Sequence, residues 1–161
     1  MQGNRVMAPL RILAVACALL AAPVLLHAQR EKLPPDDLDF VEKKWPDAKK
    51  SNTGIRYVVE EPGKGPLLAP GDLIMVNYTG SLLNGKVFDK LLDKLHPLTF
   101  RVNRGDVIEG WDQILQMMRP GSKWIVIIPP ELGYGRRGNP PRVPGDSTLV
   151  FEIDVLGIKK D

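Results

Sequence analysis

The sequence predicts an α+β fold in which a twisted antiparallel sheet wraps its concave apolar face around one short α-helix. Three observations predict it. Residues 107–118 are the only strongly apolar stretch of helical period in the second half of the chain, with Trp111, Ile114, Leu115 and Met118 at i, i+3, i+4 and i+7. The segments around that stretch read as strands, so one helix must serve a whole sheet. In the last of them, Leu149, Phe151, Ile153 and Val155 alternate with Val150, Glu152 and Asp154, the pattern of a sheet with one buried face.

Residues 1–28 read as a secretory signal peptide and not as part of the fold. Arg5 and Arg11 form a positive n-region, residues 12–26 are an apolar run of 15, and Leu26-His27-Ala28 ends on a small residue at the cleavage point. A membrane anchor is the alternative, but a span needs about 20 apolar residues and Pro23 interrupts this run. Cys17 raises a lipidated alternative, against which Leu13-Ala14-Val15-Ala16 puts Ala where such a signal prefers Leu. A periplasmic or secreted protein is expected, with no stable membrane insertion after cleavage.

Removal of the leader leaves 133 residues, enough for one domain that buries roughly two-thirds of its unfolded surface. These residues carry 20 basic and 19 acidic side chains, so the formal charge of +3 for the whole chain overstates their basicity. Without a basic excess, nucleic acid is excluded as an expected partner. Cys17 is the only Cys and His27 one of two His, which leaves no thiol and a single imidazole, His96, after cleavage. Disulfides, thiol chemistry and the usual zinc clusters are thereby excluded. His96 precedes Pro97 in a polar turn and reads as a surface histidine, not a triad base. No metal and no cofactor is expected.

Residues 29–53 are charged and broken by Pro34-Pro35 and Pro46. Asp36 is expected to cap a short helix through Trp45, with Leu38, Val41 and Trp45 at i, i+3 and i+7. The run is short and its flanks are solvated, so it reads as a loosely docked arm, with dimerisation or client binding as its functional alternatives.

From Gly54 the period changes to that of strands, and residues 54–161 read as the compact domain. Strands are expected over 55–60 and 73–80, the latter with Ile74, Val76 and Tyr78 on one face. Asn84-Gly85 suits a tight hairpin that returns through Val87-Phe88-Asp89. Further strands are expected over 98–102, 123–128 and 148–158. Asp112 suits the positive end of the helix dipole, and Arg119-Pro120-Gly121 stops the helix. Residues 90–97 bulge between strands. Residues 129–146 pack five prolines and four glycines around Tyr134, which reads equally as a lid over the sheet or as a plain connection.

Several stretches, in this order and spacing, resemble FKBP-type peptidyl-prolyl cis/trans isomerases. They are Val76-Asn77-Tyr78-Thr79-Gly80, Gly85-Lys86-Val87-Phe88-Asp89, Val107-Ile108-Glu109-Gly110-Trp111-Asp112, Ile128-Pro129-Pro130-Glu131-Leu132-Gly133-Tyr134-Gly135, Gly138-Asn139-Pro140 and Thr148-Leu149-Val150-Phe151. The resemblance covers about residues 54–160. It implies a five- or six-stranded antiparallel half-barrel around the short helix, with an apolar pocket between them. Carried over position by position, it implies substrate binding by Tyr78, Phe88, Leu98, Phe100, Val107, Trp111, Val143 and Phe151, with Trp111 the floor under the proline ring. It implies catalytic roles for Asp89, Tyr134 and Ile108, the donors being the Ile108 N–H and the Tyr134 hydroxyl, with Asp89 at the pocket edge. From periodicity alone Tyr78, Phe88, Trp111 and Phe151 are ordinary core residues.

Such a composition suits the chemistry. An X-Pro bond isomerises over roughly tens of seconds because amide resonance sets a barrier of about 18–20 kcal/mol, and the twisted transition state has lost that resonance. No σ bond breaks, so no nucleophile or metal is required. An apolar, water-poor site that fits the twisted amide and offers donors to its carbonyls lowers the barrier, each tenfold in rate needing about 1.4 kcal/mol.

Departures from the family pattern are Leu98 for Phe, Lys94 for Arg, Asp106 for Glu, and Asn139 and Arg142 where the flap often has His and an aliphatic residue. Lys94 is expected to pair with Asp89 only as a point charge, without the fork of Arg, which loosens the edge. Leu98 and Arg142 bear on macrolide inhibitors more than on catalysis. The expectation is an isomerase acting on unfolded or partly folded proline-containing polypeptides during folding of exported proteins. The alternative is a non-catalytic module that holds proline segments as a chaperone.

Overall fold

In the computed structural model of the protein, the described residues are 31–159. The expected leader over residues 1–28, with its cleavage point and Cys17, lies outside them. The described chain runs α1 (Pro35–Lys44), β1 (Lys49–Lys50), β2 (Arg56–Pro62), β3 (Leu73–Leu82), β4 (Val87–Leu91), β5 (Leu98–Arg101), α2 (Glu109–Leu115), β6 (Ser122–Ile128) and β7 (Leu149–Ile158), with 3-10 turns at Pro130–Leu132 and Gly135–Arg137.

The strands form one antiparallel sheet in the order β1-β2-β6-β7-β3-β4, with β5 also paired to β3. That makes seven strands, the addition to the expected five or six being the two-residue β1. The long strand β3 organises the sheet. One of its edges pairs with β7 over its whole length, while the other is shared, Leu73 to Val76 with β5 and Tyr78 to Ser81 with β4. Asn84-Gly85 makes the expected tight turn, with Gly85 at φ 85° and its N–H donating to Leu82 O at 2.9 Å.

The period-two pattern places Ile74, Val76, Phe151, Ile153 and Val155 on the concave face, all buried against Trp111, Ile114, Leu115 and Met118 of the helix and its C-terminal turn. Helix α2 lies directly on β6: a Cβ added at Gly110 would stand 2.6 Å from Ile128 Cγ2, so only glycine permits this approach. The helix is shorter than the expected 107–118. Ile108 is extended (φ −60°, ψ 150°), and the N–H groups of Met117 and Met118 reach back three residues to Ile114 and Leu115, tightening the exit. The apolar stripe continues through that turn to Met118, which is fully buried although not helical.

Residues 31–53 depart from the expectation for this segment. Helix α1 starts at Pro35 with Pro34 as its N-cap, so Asp36 lies inside the first turn and is not the cap. The arm is not loosely docked: Val41 is 0% and Leu33 4% exposed, packed on Ile127 and Val150 of the convex sheet face. Val150 alternates outward, as expected, yet is covered by this helix. Asp37 Oδ2 accepts a 2.6 Å hydrogen bond from Thr148 Oγ1, and Glu31 accepts from Lys50 and Arg56, so the start of the arm is tied down at two points.

Candidate active site

A cavity of about 410 Å³ opens between the N-terminal end of α2, strands β3 and β4, and the 129–146 segment. Its walls are Tyr78, Phe88, Asp89, Leu98, Gly105, Asp106, Val107, Ile108, Trp111, Tyr134 and Phe151. Strand period brings Tyr78 to the concave face of β3, opposite Ile153 of β7, and Phe151 two residues earlier in β7 faces the same side. Trp111, on the first turn of α2, is 3% exposed and forms the floor. Tyr78 meets it edge-on at 5.2 Å and Phe151 at 5.3 Å, while Phe100 backs it at 5.9 Å. Phe88 stands edge-on to Phe151 at 5.6 Å and to Tyr134 at 6.5 Å. Edge-to-face rings of this kind hold a rigid apolar cup.

The polar groups sit at its edge. The Tyr78 hydroxyl donates to Asp89 Oδ2 at 2.7 Å, and Asp89 Oδ1 accepts the Lys90 N–H at 3.0 Å. Burial, and then the hydrogen bond to Asp89, push the Tyr78 phenol above its usual 10, which keeps it a neutral donor. Neither the Tyr134 hydroxyl nor the Ile108 N–H donates to a group among the described residues. Ile108 precedes the helix, so its N–H is one of the donors an α-helix leaves unsatisfied at its start. Its carbonyl accepts from Trp111 and Asp112.

The loop that carries Gly105 and Asp106 is held from below by Asp112. Its Oδ1 accepts the Asn103 N–H at 2.8 Å and its Oδ2 the Gly105 N–H at 2.9 Å, with the side chain 8% exposed. The arrangement offers an apolar cup with free donors on its wall, suited to a planar or twisted amide flanked by an apolar ring.

Comparison with known proteins decides which family this geometry belongs to. The sequence profile described as FKBP-type peptidyl-prolyl cis-trans isomerase matches residues 65–156. The chain belongs to the FKBP-type peptidyl-prolyl cis-trans isomerase family. It is 40% identical over 115 residues to a probable FKBP-type isomerase of Haemophilus influenzae, the match covering 71% of this chain and 47% of that protein. It is 41% identical over 106 residues to FK506-binding protein 1A of Aspergillus fumigatus, covering 65% of this chain and 95% of that one. Among solved structures, an isomerase of Pseudomonas syringae superposes with a TM-score of 0.68 at 33% identity, covering 78% of this chain and 92% of that one. The chain thus spans about half the length of the first of these relatives and nearly all of the second.

On this FKBP-type domain, nine of the expected site residues stand together in one wall: Asp89, Tyr134, Ile108, Tyr78, Phe88, Leu98, Val107, Trp111 and Phe151. Phe100 and Val143 are not part of that lining; both are buried in the core cluster, Phe100 behind Trp111. Asp89 finds its partner in the Tyr78 phenol, and no ion pair joins it to Lys94 among the described residues. Lys94 instead lines a separate cavity. Gly105 and Asp106 enter the wall although sequence reasoning did not place them there, and Asp112 acts as the loop's anchor beyond any service to the helix dipole. In the sequence Asp112 stood out as an acidic residue suited to the helix dipole and as part of the stretch 107–112 that carries the family resemblance, and neither signal points to a loop anchor.

Proposed function

We propose that the protein catalyses cis/trans isomerisation of X-Pro bonds in unfolded or partly folded polypeptides, and that it does so on exported proteins in the periplasm or outside the cell. The observation that carries the reading is the aromatic cup floored by Trp111 with two unengaged donors, the Ile108 N–H and the Tyr134 O–H, on its wall. The proline ring sits on Trp111 among Tyr78, Phe88, Leu98, Val107 and Phe151. The Ile108 N–H and the Tyr134 hydroxyl donate to carbonyls of the substrate, binding them most strongly when the amide is twisted. Asp89 fixes the Tyr78 ring at the edge. Phe100 and Val143 support the cup from the core.

Export rests on the leader read over residues 1–28, and the isomerase unit on residues 54–161, with the arm before it. The A. fumigatus relative is named for FK506 binding, which makes macrolides candidate ligands. Leu98 and the exposed Arg142 are expected to weaken them relative to proline peptides.

The test is cis-to-trans relaxation of a short X-Pro peptide with residues 29–161 and with Tyr134→Phe, Asp89→Ala and Trp111→Leu. Acceleration by the parent, with each folded variant slower by about fivefold or more, supports the reading. A folded parent that leaves the relaxation rate unchanged refutes it and leaves a proline-binding module.

A further inference from the structure

We propose that Lys32 and Asp37 of the arm are positioning residues for the isomerase site, gripping the two ends of residues 129–148, the segment that carries the Tyr134 hydroxyl into the cup. The proposal rests on the reading of Tyr134 given above. It concerns residues outside the 65–156 that match the family.

The segment leaves the sheet after Ile128 of β6 and rejoins it at Leu149 of β7. Between those points it is knit to itself. The Gly138 N–H donates to Tyr134 O at 3.1 Å, the Asp146 N–H to Gly135 O at 2.9 Å, the Asn139 N–H to Val143 O at 2.8 Å and Ser147 Oγ to Pro144 O at 2.9 Å. A Cβ added at Gly138 would run into Val143 O, and one at Gly145 into Arg136 O, so the backbone lies against itself at both places. A body knit in this way shifts as a unit, and its attachments decide where it sits. Leu132 and Val143 anchor it inward, both buried in the core. The arm anchors it from outside.

The two outer attachments fall at opposite ends of the segment. Lys32 Nζ meets Glu131 Oε1 at 2.6 Å, three residues before Tyr134. Thr148 Oγ1, of a residue only 3% exposed, donates to Asp37 Oδ2 at 2.6 Å. A partly exposed lysine pair ordinarily contributes little, because the long side chain must first be ordered. Here the ordering is done in advance. Glu31 Oε1 accepts the Lys32 N–H at 3.0 Å while its Oε2 accepts from Lys50 and Arg56. The Lys32 stem lies on Gly54, where an added Cβ would stand 2.9 Å from Lys32 Cδ.

Tyr134 is the one residue of 129–148 among the eleven that line the cup. Phe151, the next wall residue along the chain, is fixed independently by its register with Gly80 and Val126. A change at the arm contacts therefore reaches the site through Tyr134. A hydroxyl that binds the substrate carbonyl most strongly when the amide is twisted acts on kcat, whereas the rest of the cup sets KM. Displacing it lowers kcat, by no more than Tyr134→Phe, which removes the donor altogether.

The experiment measures kcat and KM for isomerisation of a short X-Pro peptide by the parent, a double variant carrying Lys32→Ala and Asp37→Ala, and Asp37→Asn, each also combined with Tyr134→Phe. The double variant is expected to lose about threefold in kcat, with KM within about twofold of the parent. Asp37→Asn keeps an oxygen that accepts from Thr148 and should retain the parent's kcat. Combined with Tyr134→Phe, the double variant should lose nothing further, because both changes act through one hydroxyl. Val41→Ala is the control: it weakens the packing of the arm without touching either contact and should leave kcat unchanged. A double variant with the parent's kcat, a loss carried by KM, or a further fall in the Tyr134→Phe background overturns the proposal. Should the double variant fail to fold, Lys32→Ala and Asp37→Ala taken singly give the same comparison. A folded parent that accelerates no X-Pro peptide refutes the isomerase reading and the proposal with it, whereas an active parent with an indifferent double variant overturns the proposal alone.

Discussion

The Tyr78 hydroxyl donates a 2.7 Å hydrogen bond to Asp89 Oδ2 and joins the wall strand β3 to the pocket edge on β4. Tyr78→Phe keeps the ring against Trp111 and Phe151 and removes only this link. The expected result is a loss of about 1 kcal/mol in stability by urea denaturation and a fall of about three- to tenfold in kcat/KM. Absorbance titration gives a second reading. The variant should lose a phenol that ionises above the usual 10.

Asp112 holds the Asn103 and Gly105 N–H groups, and with them the loop bearing Asp106. Asp112→Ala leaves two donors without an acceptor and Asn103 in a left-handed conformation at φ 55° with nothing to hold it. Stability should fall by about 2–3 kcal/mol. KM should rise more than kcat falls, because the change displaces the wall and leaves the donors in place. Equal KM values for the variant and the parent would detach Asp112 from the site.

Val41 is fully buried between α1 and the convex sheet face. Removing two methyl groups in Val41→Ala should lower stability by about 2 kcal/mol. Since the pocket opens on the opposite face, kcat/KM should hold. An arm that merely hangs from the domain would show no change in the denaturation midpoint.

Glu31 fixes the start of the arm. Partial burial raises its carboxyl, but hydrogen bonds from the Leu33 N–H, Lys50, Arg56 and the Lys32 N–H outweigh that and hold it at about 2, against an ordinary 4.5. A lowered value in the fold means that the unfolded chain binds the proton first. The stabilisation is therefore complete above pH 4.5 and is lost as pH falls toward 2. With the side chain 28% exposed, solvent screening reduces the contribution to about 1 kcal/mol. Glu31→Gln should be less stable than the parent at pH 6 and should converge with it near pH 2 to 3 in denaturant titrations; a difference independent of pH would refute the assignment.

The faces of the strands were legible in the chain itself. Period two in residues 149–155 and in Ile74, Val76 and Tyr78 decides which side chains meet the helix, because a pleated strand offers no other choice. Glycine at 85 acts within a few residues and was legible for the same reason, whereas the helix ends at Leu115, before the stop that Arg119-Pro120-Gly121 suggests. The pocket residues were legible only jointly: from period alone Trp111 and Phe151 are core, and both are in fact buried in the core while facing the cup.

Contacts between distant parts of the chain are another matter. Asp37 meets Thr148 across 111 residues, Val150 is covered by a helix that no local pattern calls to it, and Asp89 turns to Tyr78 while Lys94 lines another cavity. Local patterning determines which face a residue shows, since backbone geometry repeats every two or 3.6 residues. Which partner waits at that face depends on how the strands are ordered and how far the loops travel, and only the folded chain decides that.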